Sequence, residues 1–473
     1  FVEATRDMGD EHLVVRLTAD NMLPDGDLVQ ELVSAMRATD LQYLAVEFPE
    51  SGLPFGISAE CMTVSALREA DLAATATLDR EHVTPLIRRV HRKHAFRPSQ
   101  AEVGDEQLRC TVDSLDDFLM VSSVFTSVND PIRAPWRELQ RLLLERARAT
   151  VRSRQRKGEW LSELSMGTAQ LGLDNYGVVE PHSRPERAAA VGFVRQAMGL
   201  GINRFDSARA YGLSESVLGE ALRFADSAYF RVVTKLDPLL DVPASATRVE
   251  VRNAVDASVM RSCRELRTPS LDTVMLHQWA HRYTWQSAAW NRLLELREEG
   301  VIKSLGASVY TPEEAQAALD EPEIQRLQIP FNILDYRWRQ SCVPAAARGR
   351  SDVLVYARSA LLQGVLAASP SSWPLLTTTR ATEWVDKLEA LRKSTARASR
   401  VDLCLAYVRA QDWIDSIVLG FQKMDELRQA AIYFARPCLD EMQVHAADEM
   451  LAAAPSDLLD PRAWSTSAQV VTP

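Results

Sequence analysis

A chain of 473 residues carrying a formal net charge of −10 is longer than one ordinary hydrophobic core requires, so two domains are expected. The acidic balance argues against any general attraction to nucleic acid or an anionic membrane surface. No uncharged apolar run approaches the roughly 20 residues of a membrane helix, and the six cysteines are scattered without a C-x-x-C pair. These features predict a soluble, cytoplasmic protein with reduced thiols and small-molecule partners, without a nucleic-acid or membrane partner. The opening Phe1-Val2-Glu3-Ala4 resembles neither a signal nor a transit peptide. Because it stands directly before the strand-like Leu13-Val14-Val15-Arg16-Leu17, the chain is expected to be a fragment of a longer product.

Taken in order, residues 1–128 mix short apolar strands with helices. Residues 129–159 form an arginine-dense stretch containing Arg141, Arg146, Arg148, Arg152, Arg154, Arg156 and Lys157. Trp136, Leu139, Leu142 and Leu143 recur there near helical spacing, which predicts an amphipathic helical connector with a solvated basic face in preference to a phosphate-binding patch. From 160 to 445, β-rich runs alternate with longer helical ones. The strand candidates are 164–167, 202–205, 231–234, 273–276, 302–306, 326–329, 353–356 and 416–419. Eight strand–helix units predict an α/β fold of the closed (β/α)8 TIM-barrel type. Residues 446–473 are expected to be a terminal helix and a loose tail.

Active sites of such barrels gather where the strands end, so polar residues closing apolar strands come first. Arg204-Phe205 runs into Asp206, Val232-Val233-Thr234 into Lys235, and Val274-Met275-Leu276 into His277; Tyr211 follows five residues after Asp206. Reducing a carbonyl by hydride leaves an alkoxide, which needs a proton as its charge develops. Tyr211 can supply it. Lys235 is expected to lower the tyrosine pKa by favouring the phenolate, Asp206 to hold Lys235 charged, and His277 to polarise and position the carbonyl.

The segments Met166-Gly167-Thr168-Ala169-Gln170-Leu171-Gly172 and Gly201-Ile202-Asn203-Arg204-Phe205-Asp206-Ser207-Ala208-Arg209-Ala210-Tyr211-Gly212, continuing through Thr234-Lys235, Leu276-His277, Gly306-Ala307-Ser308, Gln328-Ile329-Pro330 and Val418-Leu419-Gly420, resemble the aldo-keto reductases. The resemblance implies a catalytic tetrad of Asp206, Tyr211, Lys235 and His277 and an extended NADPH or NADH across the barrel mouth. It also implies cofactor contacts at Gly167, Thr168, Ser308 and Gln328, the last two on the nicotinamide carboxamide. Ser359 and Leu361 would lie by the pyrophosphate, and Gly420 and Glu426 at the adenosine end. Val309 stands where the family usually has Asn, and Arg358 where it often has an aromatic residue stacked on the nicotinamide; an arginine can stack there too, so Arg358 is counted among the expected cofactor contacts, with its charge altering the electrostatics around the ring.

The first domain resembles a second family. Val14-Val15-Arg16-Leu17-Thr18-Ala19-Asp20-Asn21, Glu47-Phe48-Pro49 with Gly56 and Glu60, Arg80-Glu81-His82-Val83-Thr84-Pro85 and Thr111-Val112-Asp113-Ser114-Leu115-Asp116-Asp117 look like the later part of sugar-acid cytidylyltransferases. That resemblance makes Asp20 and Asp113 candidate Mg²⁺ ligands. The Gly-rich phosphate loop that opens those enzymes is absent from this sequence, so the first domain is expected to be inactive as it stands. The combined expectation is an NAD(P)-dependent oxidoreductase acting on a small, sugar-derived carbonyl, fused behind a cytidylyltransferase-like module of surface-sugar biosynthesis. The alternative is a nucleotidyltransferase with an accessory or cofactor-sensing barrel.

Overall fold

The computed structural model describes the chain except residues 19–24, 48–49, 54–55, 92–93, 100–109, 113–117, 119–120, 123, 126–127, 129, 131–132, 136, 140, 143–149, 175, 177–182, 453 and 465–473. It divides into two compact units, Phe1–Arg148 and Ala149–Pro473.

In the first unit, β1 (Leu13–Arg16), β2 (Tyr43–Val46) and β3 (Ala59–Thr63) form an antiparallel sheet with β3 at its centre. The helix Gly26–Arg37 begins where the Asp25 carboxylate accepts from the backbone N–H groups of Asp27 and Leu28, satisfying two donors that the first turn would leave open. Its Leu28, Leu32 and Met36, spaced four apart, share one core with Leu44, Val46 and Cys61 of the sheet. Two residues of the cytidylyltransferase-like motifs have structural roles here. Gly56 has φ +99°, and a Cβ there would lie 2.6 Å from the Thr111 backbone nitrogen. Glu60 is buried and accepts from Tyr43 Oη at 2.6 Å, from Arg88 and from Arg16. Asp20 and Asp113 lie outside the described residues.

The second unit opens with a hairpin, β4 (Ser153–Arg156) and β5 (Glu159–Ser162). This corrects the expectation of a helical connector through 159. The basic residues of 154–157 are strand and turn, and their acidic partners lie outside the hairpin. Arg154 pairs with Glu163 at 2.8 Å, and Arg156 lies 3.8 Å from Asp415. Glu159 on β5 meets three guanidinium groups: Arg204 at 3.0 Å, Arg231 at 2.9 Å, and Arg326.

The strands β6 (Leu164–Gly167), β7 (Arg204–Asp206), β8 (Arg231–Lys235), β9 (Leu271–Leu276), β10 (Ile302–Ser308), β11 (Ile324–Pro330), β12 (Leu354–Arg358) and β13 (Ser416–Gly420) then close into a parallel barrel in chain order. Strands of this kind are covered on both faces, which explains continuous apolar runs in place of alternation. The first four residues of β12, Leu354-Val355-Tyr356-Ala357, are all buried. The expected strands coincide with the observed ones to within two residues at every end, and the TIM-barrel class holds. Residues 446–473, expected to end in a loose tail, contain the end of the helix Glu441–Met450 and two 3-10 turns, Ser456–Leu459 and Pro461–Trp464. Leu451, Leu458 and Leu459 are buried. Among the described residues no helix is long and apolar enough to cross a membrane, and no group of three or more His, Cys, Asp or Glu could hold a metal ion.

Candidate functional site

Asp206 is the last residue of β7 and Lys235 the last of the neighbouring β8, so the barrel brings their side chains together at its C-terminal face. The Lys235 ammonium donates to Oδ1 and Oδ2 of Asp206 at 2.8 and 2.9 Å and to the Ser207 carbonyl at 2.9 Å. With 1 % of its surface exposed, Lys235 has its positive charge held by that carboxylate. The same ammonium sits 5.1 Å from the centroid of the Tyr211 ring. His277 stands edge-on to that ring, centroids 6.1 Å apart and planes at 85°, and Tyr176 lies on it at 6.2 Å. All four sequence-selected residues therefore meet in one place.

The loop carrying Tyr211 is fixed by groups that the sequence reading passed over. Ser207 N–H donates to the Val233 carbonyl at 2.8 Å, and Ser207 and Ser214 hydroxyls meet at 2.6 Å. Glu215 is buried; it accepts from Thr234 Oγ1 at 2.6 Å and from Arg209. It thus joins the end of β8 to the loop two residues before Tyr211. In the sequence they belong to the stretch that carries the family resemblance, with Arg209 and Glu215 as opposite charges flanking the tyrosine, and nothing there assigns them this role. Gly172 packs under the same loop, where a Cβ would lie 1.9 Å from the Tyr211 carbonyl oxygen.

Electrostatics depart from the expectation for Tyr211. Burial pushes its phenol above the ordinary tyrosine range, and the Asp206 carboxylate pushes it further, with Arg358 opposing. The anticipated lowering by Lys235 is thus corrected: the ammonium is paired with Asp206, and burial together with that carboxylate outweighs the opposing charge of Arg358. For His277, burial comes first, followed by the charges of Lys235 and Arg358, and together they hold the imidazole well below its usual 6.5. A neutral ring at physiological pH results. Its Nδ1 is buried and has no hydrogen-bond partner among the described residues.

The remaining candidates lie at other strand ends of the barrel. Gly167 pairs with Asp206 on one side and Gly420 on the other, and Thr168 Oγ1 donates to the Asp206 carbonyl at 2.9 Å. Gln328 donates its amide to Asp206 Oδ1 at 2.7 Å and accepts from Ser308 Oγ at 3.3 Å, so this expected carboxamide pair is contiguous with the tetrad. Arg358 ends β12, donates Nη2 to the Val309 carbonyl at 3.1 Å, and lies 4.5 Å from the Tyr310 ring centroid. After it, Ser359, Leu362, Gln363 and Gly364 all have positive φ, and Gln363 Oε1 is buried without a partner among the described residues. Glu426 is already engaged, accepting from the backbone N–H of Gln422 and Lys423 at 2.9 and 3.2 Å as the cap of the helix Met424–Ala435. That role leaves less of its carboxylate for a ribose.

The Aldo/keto reductase family model matches residues 163–452. An oxidoreductase of Mycobacterium tuberculosis is 29% identical over 254 residues, covering 51% of this chain and 73% of that protein. D-arabinose 1-dehydrogenase of Saccharomyces cerevisiae is 27% identical over 268 residues, 52% of this chain and 76% of the relative. An aldo-keto reductase from Bacillus halodurans, in its holo form, superposes with a TM-score of 0.52 at 22% identity, covering 66% of this chain and 100% of that one, a likeness of fold. The matched segment encloses all eight barrel strands, and the chain belongs to the aldo/keto reductase family.

Proposed function

We propose that the second unit reduces an aldehyde or ketone, with Tyr211 as the proton donor and NADPH or NADH as the cofactor, and that the carbonyl is borne by a sugar derivative. The observation that carries this reading is the buried Lys235, bonded to both oxygens of Asp206 and set 5.1 Å from the Tyr211 ring, with His277 edge-on to the same ring. When bound, the reduced nicotinamide supplies a hydride.

The chain's own residues supply the rest. A raised phenol pKa keeps Tyr211 protonated at neutral pH, loaded as an acid, and the alkoxide that forms is far more basic than a phenolate, so the proton moves downhill. Lys235, 5.1 Å from the ring centroid, and Arg358 are the cations set to favour the phenolate left behind. Neutral His277 can donate one hydrogen bond to the carbonyl oxygen without adding a second proton to the balance. Ser308 and Gln328 are assigned to the carboxamide, Gly167, Thr168, Ser359 and Leu361 to the remainder of the nicotinamide half and the pyrophosphate, and Gly420 with Glu426 to the adenosine end.

Similarity to a D-arabinose 1-dehydrogenase supports a sugar-like substrate, as does the first unit. Its motifs support a cytidylyltransferase-like module of surface-sugar biosynthesis with Asp20 and Asp113 as Mg²⁺ ligands, the whole acting in the cytoplasm. The test is cofactor oxidation by the full chain with a panel of sugar aldehydes and ketoses, alongside tryptophan-fluorescence titration with each cofactor. Binding plus turnover supports the reading. No response to either cofactor at millimolar concentration overturns it.

A further inference from the structure

Arg358 differs from the other cations around the barrel mouth. Lys235 is neutralised by Asp206, Arg209 by Glu215, and Arg337 by Asp335 at 2.7 Å. Arg462 is neutralised by Asp460, also at 2.7 Å. Arg462 reaches the same aromatic ring as Arg358, at 4.1 Å from the Tyr310 centroid, so the two guanidinium groups sit on one tyrosine and only one has a counter-ion. Among the described residues no carboxylate lies within ion-pair distance of Arg358. Of its five N–H donors, one is used among the described residues, on the Val309 carbonyl. The side chain is half-buried, which makes the unmatched charge costlier than it would be in open water. Its field is felt at Tyr176, Tyr211 and His277.

The geometry points to Arg358 as the residue that binds an anionic group of the substrate, a carboxylate or phosphate a few bonds from the carbonyl that is reduced. Tyr310 and Val309 hold the guanidinium by one face and one N–H, leaving an edge with parallel donors of the kind that matches two oxygens of a carboxylate or phosphate. Lysine would keep the charge but lose that fork. An apolar or neutral aldehyde would leave the cation unpaired beside the reacting carbonyl. The inference rests on the reductase reading of this site and narrows its substrate to an acidic or phosphorylated carbonyl.

The experiment uses the full chain with whichever cofactor supports turnover and compares two matched pairs, succinic semialdehyde with butanal and glyceraldehyde 3-phosphate with glyceraldehyde. For each pair the quantity read is the ratio of kcat/KM for the anionic over the neutral member. Arg358→Gln is expected to lower at least one ratio by about 10- to 100-fold, the loss typical of hydrogen bonds to a charged group, and Arg358→Lys by less. The pair that responds identifies carboxylate or phosphate. Ratios unchanged in Arg358→Gln overturn the proposal. So does a fall in cofactor affinity matching the fall in kcat/KM, because the cation would then serve the cofactor and not the substrate. If the wild type binds cofactor but reduces no aldehyde, the reductase reading fails. Calorimetry with succinate and inorganic phosphate on the cofactor-loaded chain then decides: binding lost in Arg358→Gln supports the anion site, and equal binding or none overturns it.

Discussion

Lys235 and Asp206 form a forked ion pair at 2.8 and 2.9 Å, in which 1% and 8% of the two side chains are exposed. Removing one member strands the other. Breaking a buried pair in this way costs ~3–5 kcal/mol, so Asp206→Asn should lower the melting temperature of the barrel as well as its turnover. Lys235→Met should lower turnover while leaving Asp206 its Gln328 amide at 2.7 Å. On the proposed mechanism the two residues act through one phenol, so the double variant should be little worse in kcat than the poorer single one. Additive losses in kcat would show that the pair does not act as a unit.

A second prediction concerns the hairpin under the barrel. Glu159 answers Arg204, Arg231 and Arg326 together, and Arg204 is buried. Glu159→Gln leaves three cations facing each other, and about 3–5 kcal/mol of stability should be lost. Thermal unfolding of the full chain measures it; a melting temperature within a degree of wild type would show that these pairs contribute nothing net.

The histidines set an acid limit. Both His277 and His281 are held below their ordinary 6.5, mainly by burial. In the folded chain they stay neutral, while the unfolded chain takes up protons as pH falls through 6.5, so stability is full above that pH and declines below it. Replacing His277 by Gln should flatten the decline between pH 7.5 and pH 5.5 in denaturant titrations. An unchanged slope would mean that His277 is protonated in the folded state as well.

Gly172 tests positioning without touching a functional group. A Cβ there would lie 1.9 Å from the Tyr211 carbonyl and 2.6 Å from the Ser214 backbone nitrogen. Main chain must therefore shift, and Gly172→Ala is expected to reduce kcat at least tenfold, since catalysis falls steeply with small misplacements. Wild-type kcat in that variant would show that the loop tolerates the displacement.

The barrel was legible because its strands are covered on both faces, and continuous apolar runs such as Val232-Val233 and Val274-Met275-Leu276 followed by one polar residue mark both strand and mouth. Asp206, Lys235 and His277 could be picked out on that signal alone. The hairpin was not legible. Ser153-Arg154-Gln155-Arg156 has no apolar alternation, and its partners Glu163 and Asp415 are set by the closed barrel. The raised pKa of Tyr211 is not legible for a related reason, because burial depends on what packs around a residue and the charge of Lys235 is committed to Asp206. The capping role of Glu426 had a local signal, an acid three residues into a helix, while its place at the adenosine end comes from the family resemblance alone. The unmatched charge of Arg358 could not be read from sequence: Asp352, the one acid between residues 336 and 382, pairs with Arg350, and whether a more distant acid reaches Arg358 is decided by the fold.

The proton-donor role of Tyr211 is tested most directly by Tyr211→Phe, which removes the transferable hydrogen and keeps the ring against His277 and Lys235. The measurement is kcat and cofactor affinity of the full chain, on a carbonyl that the wild type reduces. Positioned acid catalysis is worth about 10²- to 10⁴-fold, so kcat should fall by that factor while the cofactor dissociation constant changes less than about threefold. A variant that keeps more than about half of wild-type turnover, a loss well under ~1 kcal/mol of barrier, would contradict the assignment.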